Sequence, residues 1–222
     1  MRSGAYAAAE PVRLVAVPLS AIGLKRGSCA TLEAVAPCNP QRSLTDPGAL
    51  LATTHEAGGR RLRLRLTRPS DAIGVRAFLE ALSHETRRRR FLTPSATVSE
   101  AVVRHFTFFD PRQRLVVAAT TPDGGAEQIL GLADVAILHT GLAEIAVVVA
   151  DDHQGQGVGA LLTEAGASLA ARQGATHLKA ELLPENRAMM RLMERIGPTV
   201  RTFEEGGLVA YARLPAPGRR AA

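Results

Sequence analysis

Gln154-Gly155-Gln156-Gly157-Val158-Gly159 is the stretch of this 222-residue chain whose composition and spacing most directly imply chemistry. An apolar run, Ile145 to Ala150, leads into it through Asp151-Asp152-His153, and a helical pattern begins as soon as it ends. A strand that stops at a glycine-rich turn and restarts as a helix aims several backbone N–H groups at one point, and the positive end of the helix adds to them. The fitting guest is a phosphate or pyrophosphate. A P-loop is excluded, because no Gly-Lys-Ser/Thr follows the glycines. Gly155-x-Gly157-x-x-Ala160, with Glu181 farther on, does fit a dinucleotide fingerprint. That reading fails on two points: Asp151 to Gln154 separate the strand from the first glycine, and the chain left after the turn is too short for the parallel units such a fold needs.

The elements that must position this turn can be read from the periodicity. Arg61 to Thr67 alternates Arg and Leu, the mark of a strand with one buried face. Pro69-Ser70 opens a helix expected over residues 71–83, with Ile73, Ala77, Leu79 and Leu82 turned inward. A second helix is expected from Ser99 to about Phe108, ended by Asp110-Pro111. Three strands follow, Leu115–Thr121, Gln128–Leu138 and Leu142–Ala150, with short turns between them. After the glycine turn, Val158, Leu161, Leu162, Ala165 and Leu169 fall on one helical face. Thr176 to Leu183 is a strand. Pro184-Glu185-Asn186 opens a helix with the stripe Met189, Leu192, Met193 and Ile196. Two last strands lie near Val200–Glu204 and Leu208–Leu214. The order β-α-α-β-β-β-α-β-α-β-β implies an α/β (α+β) domain: a mixed, mostly antiparallel sheet with helices on both faces.

Residues 1–60 show no sustained period, apart from one short strand expected near Val12–Val17, and are expected to be a loosely ordered extension. The domain is placed at 61–214, and 215–222 is expected to be a disordered tail. Charged residues are 22% of the chain and the net charge is +6, so an anionic partner fits, but without Trp and with two Tyr there is little surface on which bases could stack. Cys29 and Cys38 have no metal-ligand spacing, so no metal is expected. Leu14–Leu24 is interrupted by Pro18 and is too short to span a bilayer, so a cytoplasmic protein without membrane partners is expected.

Gln154-x-x-Gly157-x-Gly159 after an apolar strand, with Asn186 opening a later helix, resembles the coenzyme-A motif of the GCN5-related N-acetyltransferase (GNAT) superfamily. Within it, Ala143-Glu144-Ile145-Ala146, Val149-Ala150-Asp151, Asn186-Arg187-Ala188-Met189 and Leu82-Ser83-His84-Glu85-Thr86-Arg87 resemble the catalytic domain of bacterial Pat-type protein lysine acetyltransferases. The resemblance spans about residues 61–214. It implies the GNAT fold, acetyl-CoA as cosubstrate and a protein lysine as acceptor, with acyl-CoA synthetases as the family's typical target. The mycobacterial members carry a cyclic-nucleotide domain for which residues 1–60 are too few, so regulation by cyclic AMP is not implied. Many superfamily members place a general-acid Tyr seven residues after the Asn. Met193 stands there, as suits the Pat type, and leaves the acid unassigned.

By resemblance and by its place at the start of an apolar strand, Glu144 is the expected general base. The main chain of Ala146, Val147, Val148 and Val149 is expected to pair with the pantetheine arm, and the amides of Gln154, Gly155, Gln156, Gly157, Val158 and Gly159 to cradle the pyrophosphate. Asn186 and Arg195 would also touch the cofactor, although Asn186 could serve only as a helix cap and Arg195 could simply be solvated. Asp151 and Asp152 are expected to fix the turn, and His153 to be exposed. Arg87–Arg90 is open between a solvated helix face, a dock for an acidic protein and a contact to coenzyme A phosphate; nucleic acid fits poorly. Two alternatives to a protein lysine acetyltransferase stand: acetylation of a small amine, whose pocket would need acids that the sequence does not place, and a non-catalytic acetyl-CoA sensor.

Overall fold

The Arg/Leu alternation does form a strand, and its leucines seed one of the three apolar clusters found among the described residues. A computed structural model describes residues 44–92, 98–121, 127–139, 141–204 and 207–215. The expectations for Val12–Val17, Cys29, Cys38 and the last seven residues lie outside the described residues. The chain runs α1 (Pro47–Ala52), β1 (Thr54–Ala57), β2 (Arg60–Leu66), α2 (Ala72–Ala81), α3 (His84–Phe91), α4 (Glu100–Thr107), β3 (Arg114–Thr120), β4 (Ile129–His139), β5 (Leu142–Val149), α5 (Val158–Arg172), β6 (His177–Leu182), α6 (Arg187–Ile196), β7 (Thr199–Glu204) and β8 (Gly207–Arg213).

The strands form one sheet of order β1-β2-β3-β4-β5-β6-β8-β7. Every neighbouring pair is antiparallel except β5 and β6, which the α5 crossover makes parallel. The mixed sheet expected from the order of elements is therefore present. The order of the last three strands was not legible in advance: a hairpin following α6 can dock by either strand, and here β8 inserts between β6 and β7. Against one face α5 and α6 pack through Ile145, Leu178, Ala210 and Met193. Against the other, α2 and α4 bury Val75, Leu79, Val103 and Phe106 on Val116 and Leu132. Ile73, expected to point inward, is exposed, and Val75 and Phe78 take its place.

Three differences from the expected elements have simple causes. The placement of an extension up to residue 60 needs correction, because α1 and β1 belong to the sheet domain. Leu50 of α1 is buried with Leu62 and Val158, and β1 pairs with β2 from Thr54 to Ala57. A six-residue helix and a four-residue strand are too short to display a period, and tertiary burial holds them. Helix α3 was also missing from the expected order. His84-Glu85-Thr86-Arg87-Arg88-Arg89-Arg90-Phe91 has no apolar stripe; polar bonds define this helix, starting with Ser83, whose Oγ accepts the Thr86 N–H at 3.2 Å. The Arg87–Arg90 run is a solvated face only in part: Arg89 is exposed and Arg88 partly so, whereas the Arg90 side chain is buried. Arg88 pairs with Glu85 and Glu185, Arg89 with Glu85, and Arg90 is drawn beneath α3.

Arg90 ends in a buried charge cluster centred on Asp134 of β4. Asp134 accepts from Arg90 at 2.9 Å and lies 2.8 Å from His105 Nε2, and Arg114 binds its other oxygen. The Arg90 guanidinium also stands over the rings of Phe91 and Phe106, 5.2 and 5.3 Å from their centroids. Burial pushes the Asp134 carboxyl up, but His105, Arg90 and Arg114 outweigh it and hold it down at about 2. Removing one partner of such a cluster strands the others without water. Asp134→Ala is expected to lower unfolding stability by roughly 3–5 kcal/mol, measured by urea denaturation. The sign with pH follows: because the folded carboxyl titrates below its unfolded value of about 3.9, its contribution is full above that pH and is lost as pH falls toward 2. Wild type should lose this stability on acidification, and the variant should lack that part of the acid dependence.

Candidate active site

Strands β5 and β6 pair for only three residues, the last pair being Glu144 with Lys179. Beyond it β5 continues to Val149 against β4, while β6 continues to Leu182 against β8. The two strands therefore part, and a gap opens toward the glycine turn. The Ala150 N–H donates to Leu130 of β4, so by strand alternation Val149 and Val147 turn their own N–H and C=O groups to the gap side. Of the four residues expected to line the pantetheine arm, these two offer main-chain groups there. Ala146 and Val148 direct theirs to β4.

At the far end of the gap the chain passes through a short 3₁₀ turn, Asp151–His153, into the glycines. Gly155 and Gly157 hold φ of +73° and +96°, conformations that L side chains seldom adopt. They turn the chain so that α5 starts at Val158 with Gly157 as its cap. The first N–H groups to find a carbonyl in α5 are those of Ala160 and Leu161, both to Gly157. The N–H groups of Gly157, Val158 and Gly159 are thus the orphan donors of the helix start, and they carry its positive dipole end. At Gly159 a Cβ would make only ordinary contacts, 3.5 Å from Leu192 of α6 and 3.6 Å from Val149.

Polar side chains brace this loop from outside. Asp151 accepts from the Ser83 N–H at 2.8 Å, the Ser83 hydroxyl at 2.7 Å and the Thr86 hydroxyl at 2.6 Å, which fastens the start of α3 to the turn. Gln154 gives its amide to Thr86 Oγ1 and to the Val149 C=O, and Gln156 gives its own to the Asp152 C=O. The two glutamines therefore serve as struts, and what they contribute to an anion is backbone. Asp151 fixes the turn as expected. From the other side, Gly58 of the β1–β2 turn sits against Gln156 so closely that a Cβ would collide with it. The reading of the sequence left out this neighbour because it treated residues before 61 as an extension.

Asn186 caps α6, accepting the Met189 N–H on its Oδ1 at 3.1 Å, which leaves its amide NH₂ for a ligand. Arg195 lines a small groove between α5 and α6 with Ala160, Glu164 and Leu192. Met193 is fully buried, so the usual position of the acid holds a core side chain.

Glu144 stands at the mouth of the gap, half-buried, on the sheet face covered by α3 at this point. Burial pushes its carboxyl up, the charges of Glu181 and Asp134 add to that, and Lys179 and Arg90 oppose it. A carboxyl in this setting takes up its proton at a higher pH than an ordinary glutamate, whose value is about 4.3. The sequence reading placed no acids for an acceptor. The structure brings Glu181 and Glu204 to the same face, because Glu144, Lys179 and Tyr211 pair directly across β5, β6 and β8, and Tyr211 donates to Glu204 at 2.9 Å. Only the register of β8, which sequence cannot supply, reveals this row. Among the described residues no group of acids, histidines and cysteines could hold a metal, and no helix is long and apolar enough to cross a membrane.

Comparison with known proteins agrees with this geometry. The acetyltransferase (GNAT) domain family matches residues 61–199. An acetyltransferase of Pseudomonas aeruginosa is 31% identical over 140 residues, which are 63% of this chain and 75% of that protein. The crystal structure of the GNAT domain of S. lividans PAT is 29% identical, with a TM-score of 0.65 over 73% of this chain and 96% of that domain. A putative acetyltransferase from Salmonella typhimurium, solved with acetyl-CoA, shares the fold at 16% identity, with a TM-score of 0.53 over 72% of this chain and 97% of that one. With an orphan-donor cradle at the start of α5, a strand gap beside it and a half-buried glutamate at the mouth of that gap, the chain belongs to the GNAT acetyltransferases and is similar to their Pat-type members.

Proposed function

We propose that this acetyltransferase moves the acetyl group of acetyl-CoA to the ε-amine of protein lysines, with Glu144 as general base. The observation that carries the reading is the end of β5–β6 pairing at Glu144 and Lys179, which sets a carboxylate beside a gap faced by the Val147 main chain and the Val149 N–H. The residues present fit the carrier: orphan N–H groups at the start of α5 suit a diphosphate, and the gap suits a chain of amides added like a strand. Gly157, Val158 and Gly159 would hold the diphosphate, and Val147 and Val149 the amide arm. Asn186 and Arg195 lie within the same part of the fold. Bound there, acetyl-CoA supplies an activated acyl group with a thiol leaving group.

A lysine amine with an ordinary pKa of about 10.4 arrives protonated at neutral pH. Glu144 takes its proton, directly or through one water. The freed nitrogen attacks the carbonyl carbon, the N–C bond forms and the C–S bond breaks. The negative charge on the carbonyl oxygen meets a main-chain N–H in the gap, for which Val147 is placed. The nitrogen, positively charged once the N–C bond has formed, gives its second proton to the departing thiolate, directly or through water, since the usual acid position holds the buried Met193, which has no proton to give.

Two features support a protein acceptor over a small amine. One is the similarity to the PAT domain. The other is that β7, beyond β8 on the far side of Lys179, is exposed along most of its length. Together with the row from Glu144 to Tyr211 it offers a broad platform, better matched to a protein surface than to an enclosed small molecule. The test is to incubate purified protein with labelled acetyl-CoA and a cell lysate, then separate the products by size. Label on proteins is the expected result, with an acyl-CoA synthetase as the first acceptor to examine. Label only on small amines, or cofactor binding with no transfer, would contradict it.

A further inference from the structure

The chain carries 27 basic side chains other than histidine, and only two of them, Lys25 and Lys179, are lysines. Arginine does nearly all the work of positive charge, including the ion pairs of Arg65, Arg76, Arg88, Arg90, Arg114 and Arg172. Lys179 is therefore an exception in this chain, and it lies at the last residue pair before β5 and β6 part, directly across from Glu144. Its Nζ donates to Glu181 Oε1 at 2.6 Å and lies 3.9 Å from Glu144 Oε2, and its side chain is only 14% exposed. The geometry explains the choice of residue. A compact ammonium with rotatable donors can sit between carboxylates on adjacent strands, whereas the flat fork of a guanidinium would demand a bidentate partner and more room.

We propose that Lys179 is a positioning residue for Glu144, an ammonium anchored on Glu181 that tethers the Glu144 carboxylate at the mouth of the strand gap. This rests on the reading of Glu144 as the base. The anchor is needed because Glu144 otherwise faces mainly like charge or distant partners. Glu181 shares β6 with Lys179, Asp134 lies on β4, Arg90 reaches in from α3, and Tyr211 stands across from Lys179 on β8. Lys179 itself stays charged: burial pulls it down, but its bond to Glu181 and the charges of Glu181 and Glu144 more than offset that. The pair therefore works as a setting device. The cation favours the carboxylate form of Glu144, and Glu181 governs how much of that cation Glu144 feels.

The sign of each variant follows. Lys179→Met removes the cation, disfavours the Glu144 carboxylate, and moves the acid limb of kcat/KM to higher pH. Glu181→Gln removes a competing anion and releases Lys179 toward Glu144, moving the limb to lower pH. Lys179→Arg keeps the charge but not the compact ammonium, so its limb should fall between those of Lys179→Met and wild type. At neutral pH, kcat of Lys179→Met should fall about tenfold, less than the roughly 100-fold that displacing a reacting group by ~1 Å can cost, with KM for acetyl-CoA unchanged. The experiment is a set of pH–rate profiles for the three variants and for Glu144→Gln, with thermal melting measured alongside. Opposite shifts for Lys179→Met and Glu181→Gln support the proposal. If Glu144→Gln abolishes turnover while both profiles superimpose on wild type, or if the variants only lower the melting temperature, the tether is wrong and the base stands. If Glu144→Gln turns over normally, the reading of Glu144 is wrong and the tether falls with it.

Discussion

Glu144→Gln should cut kcat by roughly 10²–10⁴ while leaving the affinity for acetyl-CoA unchanged. The substitution keeps the size of the side chain and its hydrogen-bonding reach but removes the ability to take a proton. Glu144 lies at the mouth of the gap, away from the start of α5, so its loss is expected to leave diphosphate binding at that helix start intact. A uniform loss in both parameters would indicate a folding defect. A selective loss of kcat, measured with a lysine peptide at saturating acetyl-CoA, indicates an interaction realised in the transition state. Stability should change little or rise slightly at neutral pH, because the carboxylate that burial disfavours is gone.

Gly157→Glu should have the opposite signature: loss of acetyl-CoA binding with the fold retained. Gly157 holds φ +96°, so any side chain there costs on the order of 1–3 kcal/mol of strain. The nearest atom a Cβ would meet is that of Ala57, 3.8 Å away, so there is room for a Cβ at this exposed turn and the domain should still fold. The new carboxylate would then occupy the space at the orphan N–H groups and repel a diphosphate. Losing two charge-assisted hydrogen bonds at about 1.5–3 kcal/mol each corresponds to a fall in affinity of roughly 10²–10⁴. Isothermal titration of coenzyme A reads the effect directly, and circular dichroism checks the fold.

Much of the frame was legible because periodicity reports burial. The α5 face and the Met189–Ile196 stripe follow from one buried side meeting one core, while β3 and the first seven residues of β4 are buried on both faces and stand out as near-continuous apolar runs. The cradle was legible because glycine spacing reports backbone conformation, and Gly155 and Gly157 do take positive φ. What escaped was held by polar or long-range contacts. Helix α3 carries no apolar stripe and depends on Ser83 and on Asp151, 68 residues later in the chain. Helix α1 is a single buried leucine deep, and β1 exists only because β2 offers it an edge. The Arg87–Arg90 run looked like a surface feature, yet its last member lies in a buried cluster whose partners come from α4, β3 and β4. The row Glu144–Lys179–Tyr211 depended on register across three strands, one of them inserted out of sequence order. Gln154 was legible as part of the motif, but its side chain points away from the cradle toward Thr86 and Val149.

A crystal structure of the protein with acetyl-CoA would decide the matter most directly. The diphosphate is expected within hydrogen-bonding distance of the Gly157, Val158 and Gly159 N–H groups, with the amide arm between β5 and β6 and the thioester beside Glu144. Acetyl-CoA bound elsewhere, or a gap closed by continued β5–β6 pairing, would contradict the account.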